Sequence, residues 1–99
     1  MTDKYDRNGK PLELMEWARL MENTGYKIVA QNELANGKFV STVWLGLDHD
    51  FTSKGPPLIF ETMVFPKRGE YSELDVRRYS TEAQAKQGHA RMVNKWSKR

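Results

Sequence analysis

The chain of 99 residues contains no cysteine and carries a net charge of +3. The lack of cysteine excludes disulfides, thiolate catalysis and cysteine-ligated zinc. No apolar run reaches the ~18 residues that a membrane span needs, and the polar stretch from Met1 to Lys10 differs from a signal peptide. We therefore expect one small cytoplasmic domain, residues 1–99, with one modest core and no membrane contact.

The positive charge is concentrated in the second half of the chain. Residues 1–50 carry six Lys and Arg against eight Asp and Glu, whereas residues 51–99 carry ten against five. A basic half attracts phosphate groups or an acidic protein face. Nucleic acid is therefore one partner that the composition suggests.

The first predicted element is a helix from Leu12 to Asn23 that ends near Gly25. A strand from Tyr26 to Ala35 follows it. The apolar positions of the helix recur at i, i+3, i+4 and i+7, which predicts one buried face formed by Leu14, Trp17, Ala18 and Met21.

The middle of the chain predicts a run of strands. Asn36-Gly37 favours a two-residue type I′ turn, which needs positive φ at both residues. The next strand, from Lys38 to Leu47, is apolar on both faces and is therefore predicted to be central. A strand from Leu58 to Phe65 comes next, and the Leu74–Tyr79 strand carries charges that suit a sheet edge.

The last helix begins near Ser80-Thr81, where Thr81 and Gln84 match a capping box. Its predicted apolar stripe comprises Ala85, His89, Met92, Val93 and Trp96. The element order is α-β-β-β-β-α, which predicts an α+β fold. We expect a four-stranded antiparallel meander flanked by an N-terminal and a C-terminal helix, both on one face of the sheet.

The loop after the central strand contains the densest group of potential ligands, Asp48-His49-Asp50. A calcium loop that started at Asp48 would need an acidic residue, Gly and Glu where Thr52, Ser53 and Ile59 stand. The spacing favours a polar turn whose carboxylates accept backbone N–H groups. The alternative is a protein-contact surface formed by Asp48, His49, Asp50 and Phe51. No metal site is predicted.

Two further titratable residues stand in apolar surroundings. Glu61 lies within a strand and needs a partner. The hairpin that follows is predicted to place it opposite Arg77, in a cross-strand ion pair. His89 is predicted to be a hydrogen-bonded core or boundary residue. Two alternatives remain: an acid–base pair of His89 with Glu61 or Asp48, and a metal-dependent enzyme built on Glu61 and the Asp48-His49-Asp50 loop.

The basic residues near the C-terminus predict a second kind of surface. An aromatic ring with cationic neighbours can stack on bases and contact phosphates. The candidate nucleic-acid surface comprises Arg77, Arg78, Arg91, Lys95, Trp96, Lys98 and Arg99. The alternative is an amphipathic helix with a solvated basic edge. The chain lacks the spacing of a hydrolase elbow, of a phosphate loop or of any organic-cofactor motif, so we expect no cofactor and no enzymatic activity.

Two blocks dominate the central sequence: VSTVWLGLDH, which ends at His49, and PLIFETMVF, which ends at Phe65. Together with Glu16-Trp17-Ala18 and Arg78-Tyr79-Ser80-Thr81, they resemble a family of short uncharacterised proteins encoded by bacteriophages and prophages. The chain departs from the family pattern in its loops, near Thr52 and between the last two strands.

The resemblance implies a phage origin and action in the cytoplasm of a host cell. Small phage accessory proteins often act by binding a host or defence protein. By analogy, we expect a binding protein, for example an inhibitor of a bacterial defence system such as CRISPR–Cas. A second copy of the chain is a further candidate partner, because a small sheet with one uncovered face can dimerise through it.

Overall fold

The computed structural model describes residues 3–52 and 54–99. The described chain confirms the predicted α+β fold, with one additional helical turn, α2. In chain order, the elements are α1 (Leu14–Met21), α2 (Thr24–Lys27), β1 (Ile28–Glu33), β2 (Phe39–Trp44), β3 (Phe60–Phe65), β4 (Asp75–Tyr79) and α3 (Glu82–Ser97). Among the described residues, no helix has the length and apolar character that crossing a membrane requires.

The four strands form one antiparallel meander in the order β1-β2-β3-β4. The prediction that β2 is central and β4 is an edge strand is therefore confirmed. Directly paired residues share a face of the sheet, and the pairs Val40–Val64, Thr42–Thr62 and Trp44–Phe60 all lie under α3. We call this side the helix face.

The opposite side, the open face, has no helix of the described chain packed on it. The chain's own long side chains cover much of it instead. Arg68 lies over the ring of Phe39 with its guanidinium carbon 4.4 Å from the ring centroid. Gln31 Nε2 donates to Ser41 Oγ at 3.2 Å. Phe39, Ser41 and Glu61 of the open face are therefore buried although no described helix covers them, whereas Val43 and Met63 are half-buried.

The N-terminal helix is shorter than predicted, and its apolar stripe is only partly buried, at one end. The side chains that pack on the core are Trp17, Leu20 and Met21, whereas Leu14 is 62% exposed. Because the helix lies beside one end of the sheet, only its last turns reach the core. Leu12, which precedes the helix, is the buried residue of this segment.

Residues Thr24–Lys27, where a strand was predicted to start at Tyr26, form one further helical turn instead. The side chain of Asn23 accepts the Tyr26 N–H at 3.1 Å and so caps that turn. The ring of Tyr26 meets that of Trp44 edge to face, with 5.0 Å between the ring centroids. This contact fixes the turn against the core.

The β1–β2 hairpin differs from the predicted two-residue turn. Gly37 N–H donates to Leu34 C=O at 2.9 Å, and Leu34 N–H donates to Lys38 C=O at 2.7 Å. With φ of 90° at Gly37, this is the pattern of a three-residue hairpin loop that ends in a left-handed residue. The Asn36-Gly37 signal thus predicted the turn but not its length.

The start of α3 follows its prediction. Thr81 Oγ1 accepts the Gln84 N–H at 3.1 Å, and Gln84 Oε1 accepts the Thr81 N–H at 3.3 Å, which confirms the capping box. Arg7 Nε donates to Glu82 Oε1 at 2.7 Å. This hydrogen bond holds the pKa of Glu82 below its ordinary value and ties the N-terminal segment to α3.

Candidate functional site

The loop after β2 is organised by one carboxylate. Asp48 Oδ1 accepts the N–H of Asp50 at 2.8 Å and that of Leu58 at 2.9 Å. The prediction of a carboxylate that caps backbone N–H groups is thereby confirmed. Since Leu58 immediately precedes Ile59, a buried core residue, this one side chain anchors the loop to the core.

Asp50 and His49 also make local hydrogen bonds. Asp50 Oδ1 accepts both the N–H of Thr52, at 3.0 Å, and its hydroxyl, at 2.5 Å. The hydroxyl bond is the main cause that lowers the pKa of Asp50. His49 Nδ1 lies 2.9 Å from the carbonyl oxygen of Leu47. Because a carbonyl oxygen can only accept, Nδ1 carries the proton in this hydrogen bond.

Phe51 is the exception within this ordered loop. Its side chain is 85% exposed, and its nearest aromatic neighbour is His49, with 5.9 Å between the ring centroids. The other members of the predicted contact surface, Asp48, His49 and Asp50, are half-buried. We call residues Asp48–Phe51 the contact loop. Its geometry presents one large apolar side chain on a hydrogen-bonded support.

Glu61 does not join the contact loop. It lies on the open face, where Arg78 Nε donates to its Oε2 at 2.9 Å. The residues of the proposed metal-dependent enzyme are therefore separated, and no group of three metal-ligating side chains forms anywhere in 3–52 and 54–99. The carboxylates that could have bound a metal ion instead accept hydrogen bonds from backbone N–H groups and from an arginine.

The ion-pair partner predicted for Glu61 is wrong by one residue. The register pairs Glu61 with Arg78 and Thr62 with Arg77. A shift of one residue moves a side chain to the other face of a sheet. Arg77 consequently lies on the helix face, whereas Arg78 lies on the open face and covers Glu61.

His89 is a hydrogen-bonded core residue, as predicted. Its Nε2 lies 2.7 Å from Asn32 Oδ1, and its Nδ1 lies 2.7 Å from Thr42 Oγ1. Since Asn32 Oδ1 only accepts, Nε2 carries the proton and Nδ1 accepts from Thr42. Thr42 in turn accepts from Thr62, with 2.6 Å between the hydroxyl oxygens. Burial lowers the pKa of His89, so the neutral ring is favoured.

The hydrogen-bonded series Thr42–His89–Asn32 places a hydroxyl, an imidazole and an amide in the order of a nucleophilic triad. However, Thr42 and Thr62 have no exposed surface, so a substrate cannot reach either hydroxyl. The alternative acid–base pairs also fail, because His89 bonds to Thr42 and Asn32 rather than to Glu61 or Asp48. The network therefore holds α3 to β1 and β2.

The seven residues of the candidate nucleic-acid surface do not share one face. Arg78 is separated from the rest by the sheet. Trp96 is partly buried, and its Nε1 donates to Asp75 Oδ2 at 3.1 Å. Arg99 lies over the Trp96 ring, 5.8 Å from its centroid, and Lys98 is exposed near it. Arg77 of β4 and Arg91 and Lys95 of α3 line a common groove.

This groove, the β4–α3 groove, lies between the edge strand and the last helix. It has a volume of about 400 Å³ and is lined by Asp75, Arg77, Tyr79, Arg91, Met92 and Lys95. A Cβ atom at Gly88 would collide with the ring and hydroxyl of Tyr79. A glycine at this position therefore allows Tyr79 to lie directly on the helix.

Sequence reasoning missed Asp75, Tyr79 and Gly88 as members of a common site. The feature that could have grouped Asp75 and Tyr79 with Arg77 is the side-chain period of two along β4, which puts all three on one face. Asp75 Oδ2 accepts from Lys95 at 2.8 Å, and this bond is the main cause that lowers the pKa of Asp75.

No family model, curated protein or solved structure matches the chain.

Proposed function

We propose that the protein is a non-enzymatic binding protein that contacts another protein through the contact loop. The observation that carries the proposal is Phe51, a large apolar side chain left exposed on a loop that Asp48 fixes by two backbone hydrogen bonds. Aromatic residues are enriched among the few that supply most of the binding energy in protein interfaces. A support that is already ordered reduces the entropy lost on binding.

The open face of the sheet is a weaker candidate for the interface. Part of it is already covered by the side chains of Arg68, Arg78 and Gln31. A partner would have to displace these side chains and break the Glu61–Arg78 ion pair. Phe51 is exposed in the free protein, so its burial requires no such rearrangement.

The resemblance to phage and prophage proteins supports a host or defence protein as the partner. Inhibition of a defence system such as CRISPR–Cas is the form of this proposal that follows from analogy. A phage that is restricted by the defence system would then form plaques on cells that express this chain. Unchanged restriction across strains that carry different defence systems would contradict an inhibitory role.

The direct test is affinity purification from bacterial host lysate with the tagged chain and two variants. Phe51→Ala removes the proposed anchor, whereas Tyr71→Ala removes an equally exposed ring, 87% exposed, from the loop between β3 and β4. We expect a stoichiometric partner that the wild-type and Tyr71→Ala chains recover. The Phe51→Ala chain should lose it. Absence of any stoichiometric partner would contradict the proposal.

A further inference from the structure

We propose that the β4–α3 groove is a binding site for a phosphate monoester carried by a small nucleotide-like ligand. The site is separate from the contact loop and does not depend on the proposed protein partner. Its first property is its charge. Arg77, Arg91 and Lys95 line the groove with the single carboxylate of Asp75, which leaves two uncompensated positive charges.

The two arginines are available for a ligand. Among the described residues, neither Arg77 nor Arg91 has an ion-pair or hydrogen-bond partner, and both are exposed. They project from facing elements, the edge strand and the last helix. A guanidinium binds phosphate oxygens through two parallel N–H donors. A phosphate held between them would therefore be bound from both sides.

The remaining cation is fixed in place by the carboxylate. Lys95 Nζ donates to Asp75 Oδ2 at 2.8 Å, and Trp96 Nε1 donates to the same oxygen at 3.1 Å. Because Lys95 and Trp96 both donate to it, the Asp75 carboxylate repels an incoming anion less. The net charge of the groove matches a phosphate monoester, which carries about −1.5 to −2 at pH 7, better than it matches a carboxylate.

The floor of the groove has room and apolar surface for the rest of a ligand. The side chain of Met92 and the ring of Tyr79 line it beside the cations. The Tyr79 hydroxyl lies against Gly88 of α3 and makes no hydrogen bond within the described residues, so a ligand in the groove can accept from it. The volume of about 400 Å³ lies within the range of small-molecule sites, roughly 300–1,000 Å³.

The test is a series of titrations followed by amide chemical shifts of the full chain. The probes are adenosine monophosphate, inorganic phosphate, adenosine, and a short thymidine oligonucleotide without a terminal phosphate. We expect saturable shifts centred on Arg77, Tyr79, Gly88 and Arg91 with the monophosphate, an affinity that falls as salt rises, and no such shifts with adenosine. If inorganic phosphate binds as tightly as the monophosphate, the bare anion is the ligand and the nucleotide-like part of the proposal is wrong. If inorganic phosphate binds more weakly, the nucleotide is supported as the ligand.

Three variants test the assignment. Arg77→Gln and Arg91→Gln should each lower the affinity for the monophosphate at least about tenfold, because each removes a charged hydrogen bond. Arg19→Gln, which removes an exposed arginine from α1, should leave it unchanged. The proposal is overturned if Arg91→Gln binds as wild type, if adenosine binds equally well, or if the oligonucleotide binds more tightly than the monophosphate.

Discussion

At the residue scale, His89 shows how a buried titratable group is satisfied. The ring donates to Asn32 and accepts from Thr42, and burial lowers its pKa and so favours the neutral form. Sequence periodicity predicted that His89 faces the core, since it lies on the apolar stripe of α3. It could not predict Asn32, because the two residues are 57 positions apart in the chain and meet only through the sheet.

The lowered pKa of His89 makes the free energy of unfolding depend on pH. Its pKa is lowered from an ordinary value of 6.5, so below about pH 6.5 the unfolded chain binds the proton more readily than the folded one. The free energy of unfolding should therefore fall as the pH drops from about 7 toward the lowered pKa, by at most about 1.4 kcal/mol per pH unit. Urea unfolding at several pH values measures this slope.

Two variants isolate the contribution of His89. His89→Gln should abolish the slope between about pH 7 and pH 5.5, since Gln has no proton to bind in this window. His49→Asn, which changes the half-buried histidine of the contact loop, should retain it. A slope that survives in His89→Gln would contradict the account of this residue.

At the element scale, strand register is the property that sequence alone could not determine. Continuous apolar runs predicted β2 and β3, and the capping box predicted the start of α3. The register of β3 with β4 depends on the conformation of the loop between Phe65 and Asp75. An offset of one residue in that loop decides whether Arg77 or Arg78 meets Glu61.

The register predicts different effects for two neighbouring arginines. Arg78→Ala should lower the free energy of unfolding by about 1–3 kcal/mol, because Glu61, 8% exposed, loses its partner. Arg77→Ala should change it by less than about 0.5 kcal/mol, since its side chain is exposed and its cross-strand neighbour, Thr62, carries no charge. Chemical denaturation of the two variants measures the difference.

A third variant separates the ion pair from packing. In the background of Glu61→Gln, Arg78→Ala should lower the free energy of unfolding by less than it does in the wild type, because the carboxylate that it would leave unpaired is gone.

If Arg77→Ala and Arg78→Ala lower the free energy of unfolding of the wild type equally, the register of this hairpin is wrong.

At the scale of the whole molecule, three parts of the described surface differ in character. The open face is covered by its own long side chains, the β4–α3 groove is basic, and the contact loop exposes Phe51. The sequence singles out the loop because Asp48-His49-Asp50 stands out by composition, and the role of Asp48–Phe51 as a contact surface stays a prediction. It did not predict the groove, which forms only when β4 and α3 pack side by side.

The central claim is that Phe51 anchors a protein partner, and the most direct test is the dissociation constant of the purified complex. We predict that Phe51→Ala weakens binding at least tenfold, about 1.4 kcal/mol, while Tyr71→Ala binds as wild type. Isothermal titration calorimetry with the partner recovered from lysate provides the three constants. A Phe51→Ala chain that binds as tightly as the wild type would contradict the claim.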